Sequence, residues 1–260
     1  MKQRVITGVV AAALFLPIVY FGGFPLILLT YFLATIGLYE LFKMKNLNIF
    51  SGYGLLTVLF LWVLLFPAEY NHVLDSFYYS KIELCIVFIL LLFTYTVITK
   101  NRFTFEDASF SLLSAVYVGI GFYFLFETRV DGGLVYILYS LFMIWATDSG
   151  AYFIGKAVGK RKLWPEISPN KTIEGSLGGV VCAVFVAILF VLFTDIKGSI
   201  IGITVVLSVF GQIGDLVESA FKRHFNVKDS GKILPGHGGI LDRFDSLIFV
   251  WPILHLFHLW

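Results

Sequence analysis

Apolar stretches of similar length recur along the whole chain, and short polar segments separate them. Each stretch approaches the roughly 20 residues that an α-helix needs to cross the hydrocarbon core of a bilayer. The pattern therefore predicts an all-α polytopic membrane protein with about nine transmembrane helices. Their predicted ranges are 5–21, 24–41, 53–68, 82–99, 110–126, 134–154, 175–194, 198–217 and 240–258.

The distribution of basic residues predicts the orientation of these spans. If the N-terminus is cytoplasmic, only Lys81, Arg129 and Lys197 of the 19 basic residues fall on the external side. Lys and Arg are enriched in cytoplasmic loops, so we expect a cytoplasmic N-terminus and an external C-terminus, in the inner or plasma membrane. No small-residue cleavage pattern follows Tyr20, so we interpret the first apolar run as an uncleaved span.

Composition excludes a soluble globular domain. The chain is 58% hydrophobic and 14% charged, whereas soluble domains carry about 25% charged residues. A net charge of +2 gives no reason to expect a nucleic-acid partner. Cys85 and Cys182 both lie in predicted spans without the spacing of a metal site, so we interpret them as packing residues.

Charged residues concentrate in one block near the C-terminus. Ten of them lie between Asp215 and Asp245, whereas the chain up to about residue 130 has few charges within its predicted spans. We therefore predict N-terminal transmembrane helices over 1–130 and a catalytic transmembrane region over 131–260. Ionisable groups near a bilayer are costly unless they are paired, hydrated or functional, so the block is the predicted active site.

The acids of this block are arranged to hold a cation. Asp215, Glu218, Ser219 and Lys222 share one face of a predicted helix, and Asp242 and Asp245 share a face of the next. Magnesium is usually held by one or two carboxylates together with substrate phosphates and water. The pattern therefore predicts a site at the cytoplasmic ends of the C-terminal helices.

A glycine-rich loop with flanking basic residues lies between the two groups of acids. Glycines let backbone N–H groups approach a phosphate closely, and the helix that follows presents its positive N-terminal end. Acids for a metal and bases for phosphates together indicate phosphoryl or nucleotidyl transfer. The alternatives are a positive-inside flank for the basic residues, salt bridges for the acids, and a loop hydrogen bond for His237. The loop glycines are Gly231, Gly236, Gly238 and Gly239, and the basic residues are Lys222, Arg223, Lys228, Lys232 and Arg243.

The block resembles the signature of the phosphatidate cytidylyltransferases, also called CDP-diacylglycerol synthases. That pattern reads S-x-apolar-K-R, four residues, K-D, then P-x-H-G-G and D-R-x-D, and residues 219–245 fill every position of it. A second match lies upstream, where an aspartate precedes A-Y-x-x-G and a basic S-P-x-K-T-x-E-G loop follows. The upstream positions are Asp148, Ala151, Tyr152 and Gly155, then Ser168, Pro169, Lys171, Thr172, Glu174 and Gly175.

The resemblance implies that CTP reacts with phosphatidate, a membrane lipid, to give CDP-diacylglycerol and pyrophosphate for phospholipid synthesis. It also implies a requirement for magnesium, with a second cation left open, and a homodimer. Asp148 either joins the pocket or has a structural role. The implied catalytic residues are Asp215, Lys222, Arg223, Asp242, Arg243 and Asp245, of which Asp215, Asp242 and Asp245 surround the metal. The implied substrate-binding residues are Lys171, Ser219, Lys228, Asp229, His237, Gly238 and Gly239.

Two other functions remain open at this point. A CTP-dependent polyprenol kinase or an ether-lipid cytidylyltransferase would use the same chemistry, because nothing in the residues distinguishes an acyl from an ether linkage. A secondary transporter of an anionic metabolite would also place charges among its spans. Transporters bind near the bilayer midplane on broken helices, whereas these charges cluster at a predicted cytoplasmic edge, which favours the enzyme.

Overall fold

The computed structural model describes residues 2–260, with side chains from Ile6 onward, and this range is mainly helical, with one β-hairpin. A 3-10 helix, Ala68–Tyr70, precedes α4, and strands β1 (Lys162–Trp164) and β2 (Ser168–Thr172) pair antiparallel. The α-helices are α1 (Lys2–Phe21), α2 (Gly23–Met44), α3 (Gly52–Leu64), α4 (Asn71–Ser76), α5 (Lys81–Ile98), α6 (Phe105–Asp131), α7 (Gly133–Val158), α8 (Ile173–Phe193), α9 (Ile200–His224) and α10 (Leu241–Leu256).

Each apolar run identified in the sequence overlaps a helix, which confirms the helical fold. Six helices within the described range, α2 and α5 to α9, are long and apolar enough to cross a membrane. A seventh span results if α3 and the bent segment Ala68–Ser76 are counted together. The protein is therefore a polytopic helical membrane protein, with fewer unambiguous spans than the predicted nine.

Two predicted spans are shorter as helices than their apolar runs suggested. Helix α3 has 13 residues, and the chain turns by 89° between it and Ala68–Ser76. Pro67 lies at this break in an extended conformation, and proline interrupts a helix because it lacks a backbone N–H. Helix α10 has 16 residues, which correspond to about 24 Å at 1.5 Å per residue, less than the roughly 30 Å of a hydrocarbon core.

The hairpin and helix α4 were not predicted. The hairpin strands have three and five residues, of which only Thr172 is buried, so they show no hydrophobic alternation from which a strand could be recognised. Helix α4 has six residues, none of them buried. Both elements are too short and too polar for periodicity to indicate them.

The chain forms two compact units. The first contains residues up to Glu127 together with Ser230–Ile240. Its buried cluster around Leu92 joins α3, α5 and α6, where the rings of Tyr53 and Phe103 stack with their centroids 4.3 Å apart. The predicted boundary at residue 130 stays a prediction.

The second unit contains Thr128–Asp229 and Leu241–Trp260, and its tightest packing joins α7 to α8. A Cβ on Gly150 would lie 2.6 Å from Cys182 Sγ, and a Cβ on Gly179 would lie 2.6 Å from the Thr147 carbonyl oxygen. Small residues thus allow the two helices to approach closely, as is common between membrane helices. The prediction that Cys182 is a packing residue agrees with this contact.

Helices α9 and α10 also pack closely, and this contact positions the acidic residues. A Cβ on Gly214 would lie 2.5 Å from the backbone oxygen of Asp245, so glycine is needed at this crossing. Because Asp215 follows Gly214 directly, the crossing brings the Asp215 and Asp245 segments of the two helices together. On α7, Ser140 Oγ accepts a hydrogen bond of 3.0 Å from Trp251 Nε1 of α10.

Candidate active site

A cavity of about 560 Å³ opens within the second unit, between α7, the β-hairpin, α8 and α9. Such a volume is typical of small-molecule sites, which range over roughly 300–1,000 Å³. Two carboxylates and four ammonium groups line it, so it suits an anionic ligand accompanied by a cation. The charged residues are Asp148, Lys156, Lys160, Lys162, Lys171 and Asp215.

Hydrogen bonds at the start of α8 hold the lysine-bearing hairpin in place. Thr172 caps α8, since its Oγ1 accepts a bond of 3.1 Å from the Gly175 N–H. The Glu174 carboxylate accepts bonds from the N–H groups of Lys160 at 3.0 Å and Arg161 at 3.2 Å. The acid of the S-P-x-K-T-x-E-G segment therefore holds the backbone of the turn that carries Lys160.

The two upstream motifs contact each other directly. A Cβ on Gly155 would lie 2.9 Å from Thr172 Oγ1, and a Cβ on Gly175 would lie 2.7 Å from the Ala151 carbonyl oxygen. Glycine at both positions lets the A-Y-x-x-G segment of α7 lie against the capped start of α8. This contact brings Asp148 and Lys171 to the same cavity.

Lys171 and Asp215 form an ion pair in this cavity. Lys171 Nζ lies 2.5 Å from Asp215 Oδ2, and the two side chains are 27% and 28% exposed. Ser219 Oγ donates a longer bond of 3.4 Å to Asp215 Oδ1, as their predicted shared helix face requires. Both residues of the pair therefore remain open to a ligand that enters the cavity.

Asp148 lines the same cavity as Lys171 and Asp215. Its carboxylate is exposed in the cavity and its charge interacts with Asp215, Lys171 and Arg243. The charge of Asp245 interacts in turn with Asp215 and Asp148. Asp148 on α7, Asp215 on α9 and Asp245 on α10 therefore repel one another, and a cation bound near them would relieve this repulsion.

A second, more buried ion cluster lies between α9 and α10. Lys222 Nζ contacts Glu218 one turn earlier on α9 and Asp242 Oδ1 at 2.7 Å. The side chains of Lys222, Glu218 and Asp242 are 13%, 1% and 6% exposed. The catalytic role predicted for Lys222 stays a prediction, and in the structure its ammonium group pairs with two buried carboxylates.

The other predicted charged residues lie at the surface of the second unit. Arg223 is exposed and its Nε donates a bond of 3.3 Å to the Ile167 carbonyl oxygen, which ties the end of α9 to the hairpin. Lys228 and Asp229 are exposed after α9, and Arg243 is exposed on α10. The charge of Arg243 interacts with the cavity carboxylate Asp148.

The glycine loop, Ser230–Ile240, packs with the first unit. The N–H of His237 donates to the Leu234 carbonyl at 2.9 Å, and Gly236 between them has φ 78°. With Pro235 before Gly236, this geometry matches a type II β-turn, in which the third residue requires positive φ. Gly238 also has positive φ, at 84°, and its carbonyl accepts a bond of 3.0 Å from the Leu234 N–H. These two glycines are therefore required by the turn itself.

Three groups of residues were missed by sequence reasoning. Glu218 was noted on the helix face but not assigned, and the cavity lysines at 156, 160 and 162 were treated only as indicators of topology. Glu40 was overlooked, although it is fully buried within α2. An acid within a long apolar run is a signal that the sequence already contained.

The donor chemistry of the cavity fits magnesium that arrives with a phosphate ligand. In the part of the chain that the structure describes, no three His, Cys, Asp or Glu residues are arranged to hold a metal ion by themselves. The positively charged Lys171 ammonium group nevertheless contacts the Asp215 carboxylate, as a metal cation could. Magnesium is commonly held by one or two carboxylates, substrate phosphates and water, so a complete protein cage is not needed.

Comparison with known proteins agrees with this chemistry. The model of the Cytidylyltransferase family matches residues 2–260. A Bacillus subtilis protein named phosphatidate cytidylyltransferase is 52% identical over 98% of this chain and 96% of its own length. Proteins with the same name from Staphylococcus haemolyticus and Staphylococcus aureus are 49% and 48% identical, each over 98% of both chains. The chain therefore belongs to the cytidylyltransferase family.

Proposed function

We propose that this protein is a phosphatidate cytidylyltransferase, which transfers the cytidylyl group of CTP to phosphatidate and forms CDP-diacylglycerol and pyrophosphate. The observation that carries the proposal is the cavity in which Lys171 pairs with Asp215 among further lysines and carboxylates. Relatives that bear this name cover nearly the whole chain at about half identity.

In the proposed reaction, a phosphatidate phosphate oxygen attacks the α-phosphorus of CTP, and the bond to the pyrophosphate oxygen breaks. Both reactants are anions, so the protein must hold them together against their repulsion. The cavity lysines are suited to the nucleotide phosphates because ammonium groups neutralise phosphate charge. Holding the two reactants in line removes much of the entropic barrier, and neutralising the departing pyrophosphate lowers the rest.

We assign Asp215 to the magnesium, together with Asp245 and Asp148, whose charges interact with it. When bound, magnesium would neutralise the phosphate charge that develops at the reacting phosphorus. Lys171 would then leave Asp215 for a phosphate of the substrate. Asp242, the remaining predicted ligand, would have to release Lys222 before it could bind a metal.

We further propose nine membrane spans in a bacterial plasma membrane, with a cytoplasmic N-terminus and the reaction on the cytoplasmic side. The 16 to 3 distribution of basic residues supports this orientation. In such an arrangement, a soluble nucleotide and a lipid head group both reach the helix ends. The homodimer implied by the family resemblance belongs to the same proposal.

The decisive experiment measures pyrophosphate release by the purified protein in detergent with CTP, magnesium and phosphatidate, each omitted in turn. We expect release only with all three, and CDP-diacylglycerol as the lipid product. Ether-linked phosphatidate and a polyprenol serve as alternative acceptors. If a polyprenol were phosphorylated, or if phosphatidate gave no product while CTP was still consumed, the proposed acceptor would be wrong.

A further inference from the structure

Glu40 carries a buried carboxylate that the proposed chemistry does not use. It lies in α2, one of the candidate membrane spans, and is 0% exposed. Burying a carboxylate is costly unless hydrogen bonds or charges compensate for its lost hydration. The contacts of the Glu40 carboxylate should therefore show what compensates for this cost.

The Glu40 carboxylate binds both ends of the glycine loop. Its Oε2 accepts a hydrogen bond of 3.0 Å from Ser230 Oγ, and its Oε1 accepts one of 2.9 Å from the Ile240 N–H. Ser230 and Ile240 are the first and last residues of the segment that packs with the first unit. One carboxylate thus closes the loop at its two termini.

Two loop glycines are required by this carboxylate. A Cβ on Gly231 would overlap Glu40 Oε1, and a Cβ on Gly239 would overlap both Glu40 Oε1 and Ser230 Oγ. Neither glycine has the positive φ that would otherwise account for its presence. Gly239, which the sequence analysis assigned to substrate binding, thus has a different physical reason to be glycine.

The carboxylate also acts at the start of α10 through the covalent chain. Ile240 directly precedes Leu241, the first residue of α10, so the bond to its N–H restrains the peptide from which that helix begins. Asp242 and Asp245 follow within the first turn and a half of α10. The peptide that Glu40 restrains is therefore covalently continuous with the part of α10 that carries both acids.

We infer that Glu40 is a positioning residue for the reaction: it holds Ser230–Ile240 closed and thereby fixes the turn at His237 and the entry to α10. The inference depends on the proposed function for its consequence on activity, but not for the closed loop itself. The two parts are therefore tested by different measurements on the same purified variants.

The first measurement is hydrogen–deuterium exchange of the 231–240 segment in detergent without substrates. Glu40→Ala removes both acceptors, so we expect exchange in this segment to accelerate roughly 5–30-fold. Glu40→Gln should accelerate it less, since its amide oxygen can accept from Ile240 while its amide nitrogen donates to Ser230 Oγ. Glu40→Asp, which is one methylene shorter, should resemble the alanine variant.

The second measurement is cytidylyl transfer by the same variants. Glu40→Ala should lower kcat/KM by about 100-fold, as a displacement near 1 Å can do, and Glu40→Gln should recover most of it. Glu127→Ala is the matched control, because Glu127 is a buried acid of the same unit whose Oε1 accepts from the Ala68 N–H at 3.0 Å. It should accelerate exchange around residue 68 and leave the 231–240 segment unchanged.

Three results would overturn the inference. Unchanged exchange of 231–240 in Glu40→Ala would show that the carboxylate does not close the loop, and equal effects of Glu127→Ala would reduce Glu40 to a general stabiliser. Faster loop exchange with normal kcat/KM would remove its role in positioning.

If Glu40→Ala does not fold, Ser230→Ala and Glu40→Gln decide the same questions. Absence of cytidylyl transfer in the unaltered protein would instead refute the proposed function, while the exchange results would stand.

Discussion

Replacing Lys222 by Met separates a structural role from the substrate-binding role that the sequence suggested. Met has a similar length and no charge, so the variant keeps the volume of the side chain but leaves Glu218 and Asp242 without their common partner. If Lys222 mainly bound a phosphate, the protein would remain stable and only turnover would fall. If Lys222 mainly neutralises buried acids, the variant should unfold at a lower temperature, and any loss of turnover would accompany this loss of stability.

The size of the effect follows from burial. At 2.7 Å and an effective dielectric constant of about 20, a pair of unit charges attracts by roughly 6 kcal/mol, before desolvation is subtracted. Removal of one partner from a buried ion pair typically costs 3–5 kcal/mol, because the remaining charge stays buried and uncompensated. At roughly 2–4 °C per kcal/mol for a chain of about this size, that loss corresponds to a decrease in Tm of roughly 6–20 °C.

Thermal unfolding in detergent, followed by size-exclusion chromatography of heated samples, measures this decrease. Lys45→Met is a suitable control, since Lys45 pairs with the single acid Asp107 and both side chains are about one fifth exposed; we expect a change below about 1 kcal/mol. Adding Glu218→Gln to Lys222→Met should restore part of the lost stability, because contacting residues are not additive. An unchanged Tm for Lys222→Met, with turnover reduced, would refute the structural interpretation.

Three further predictions concern the cavity, its packing and the orientation of the chain. Asp215→Asn should lower cytidylyl transfer by about 100-fold or more and shift half-saturation to higher magnesium; an unchanged magnesium titration in steady-state assays would contradict the assignment. Gly155→Ala should destabilise by about 1–3 kcal/mol, because its Cβ would meet Thr172 Oγ1 at 2.9 Å, whereas Gly202→Ala, with no atom within 4 Å, should be neutral or stabilising in the same unfolding assay. A cysteine at Arg161 should react with a membrane-impermeant maleimide only after cells are opened, so labelling in intact cells would contradict the proposed orientation.

The residues of the proposed site could be found in the sequence because their chemistry is local. The acids, glycines and basic residues of 215–245 stand out against apolar flanks, and helical spacing was enough to place Asp215 and Ser219 on one face. Turn chemistry was also available, since Pro235 followed by Gly236 is typical of the turn that the structure contains. These features depend on neighbours within a few positions of each other.

The partners of those residues could not be found in the same way. Lys171 reaches Asp215 across 44 positions, and Ser230 reaches Glu40 across 190. No periodicity relates such residues, so the pairing of Lys222 with Asp242, 20 positions away on the next helix, was not foreseen. Glu40 was passed over for the same reason, whereas Glu218, four positions before Lys222, was noted on its helix face but given no role.

The sequence by itself therefore determined the helical membrane fold, the family and the segment that carries the chemistry, because hydropathy and short motifs are properties of consecutive residues. Tertiary structure alone decided which charges neutralise one another and which remain open to a ligand. That outcome depends on how closely helices approach, as at Gly214 against Asp245, and on the low dielectric that makes each buried carboxylate demand a partner. The roles of the close-packing glycines and of the buried acids can be assigned only once the contacts between distant segments are known.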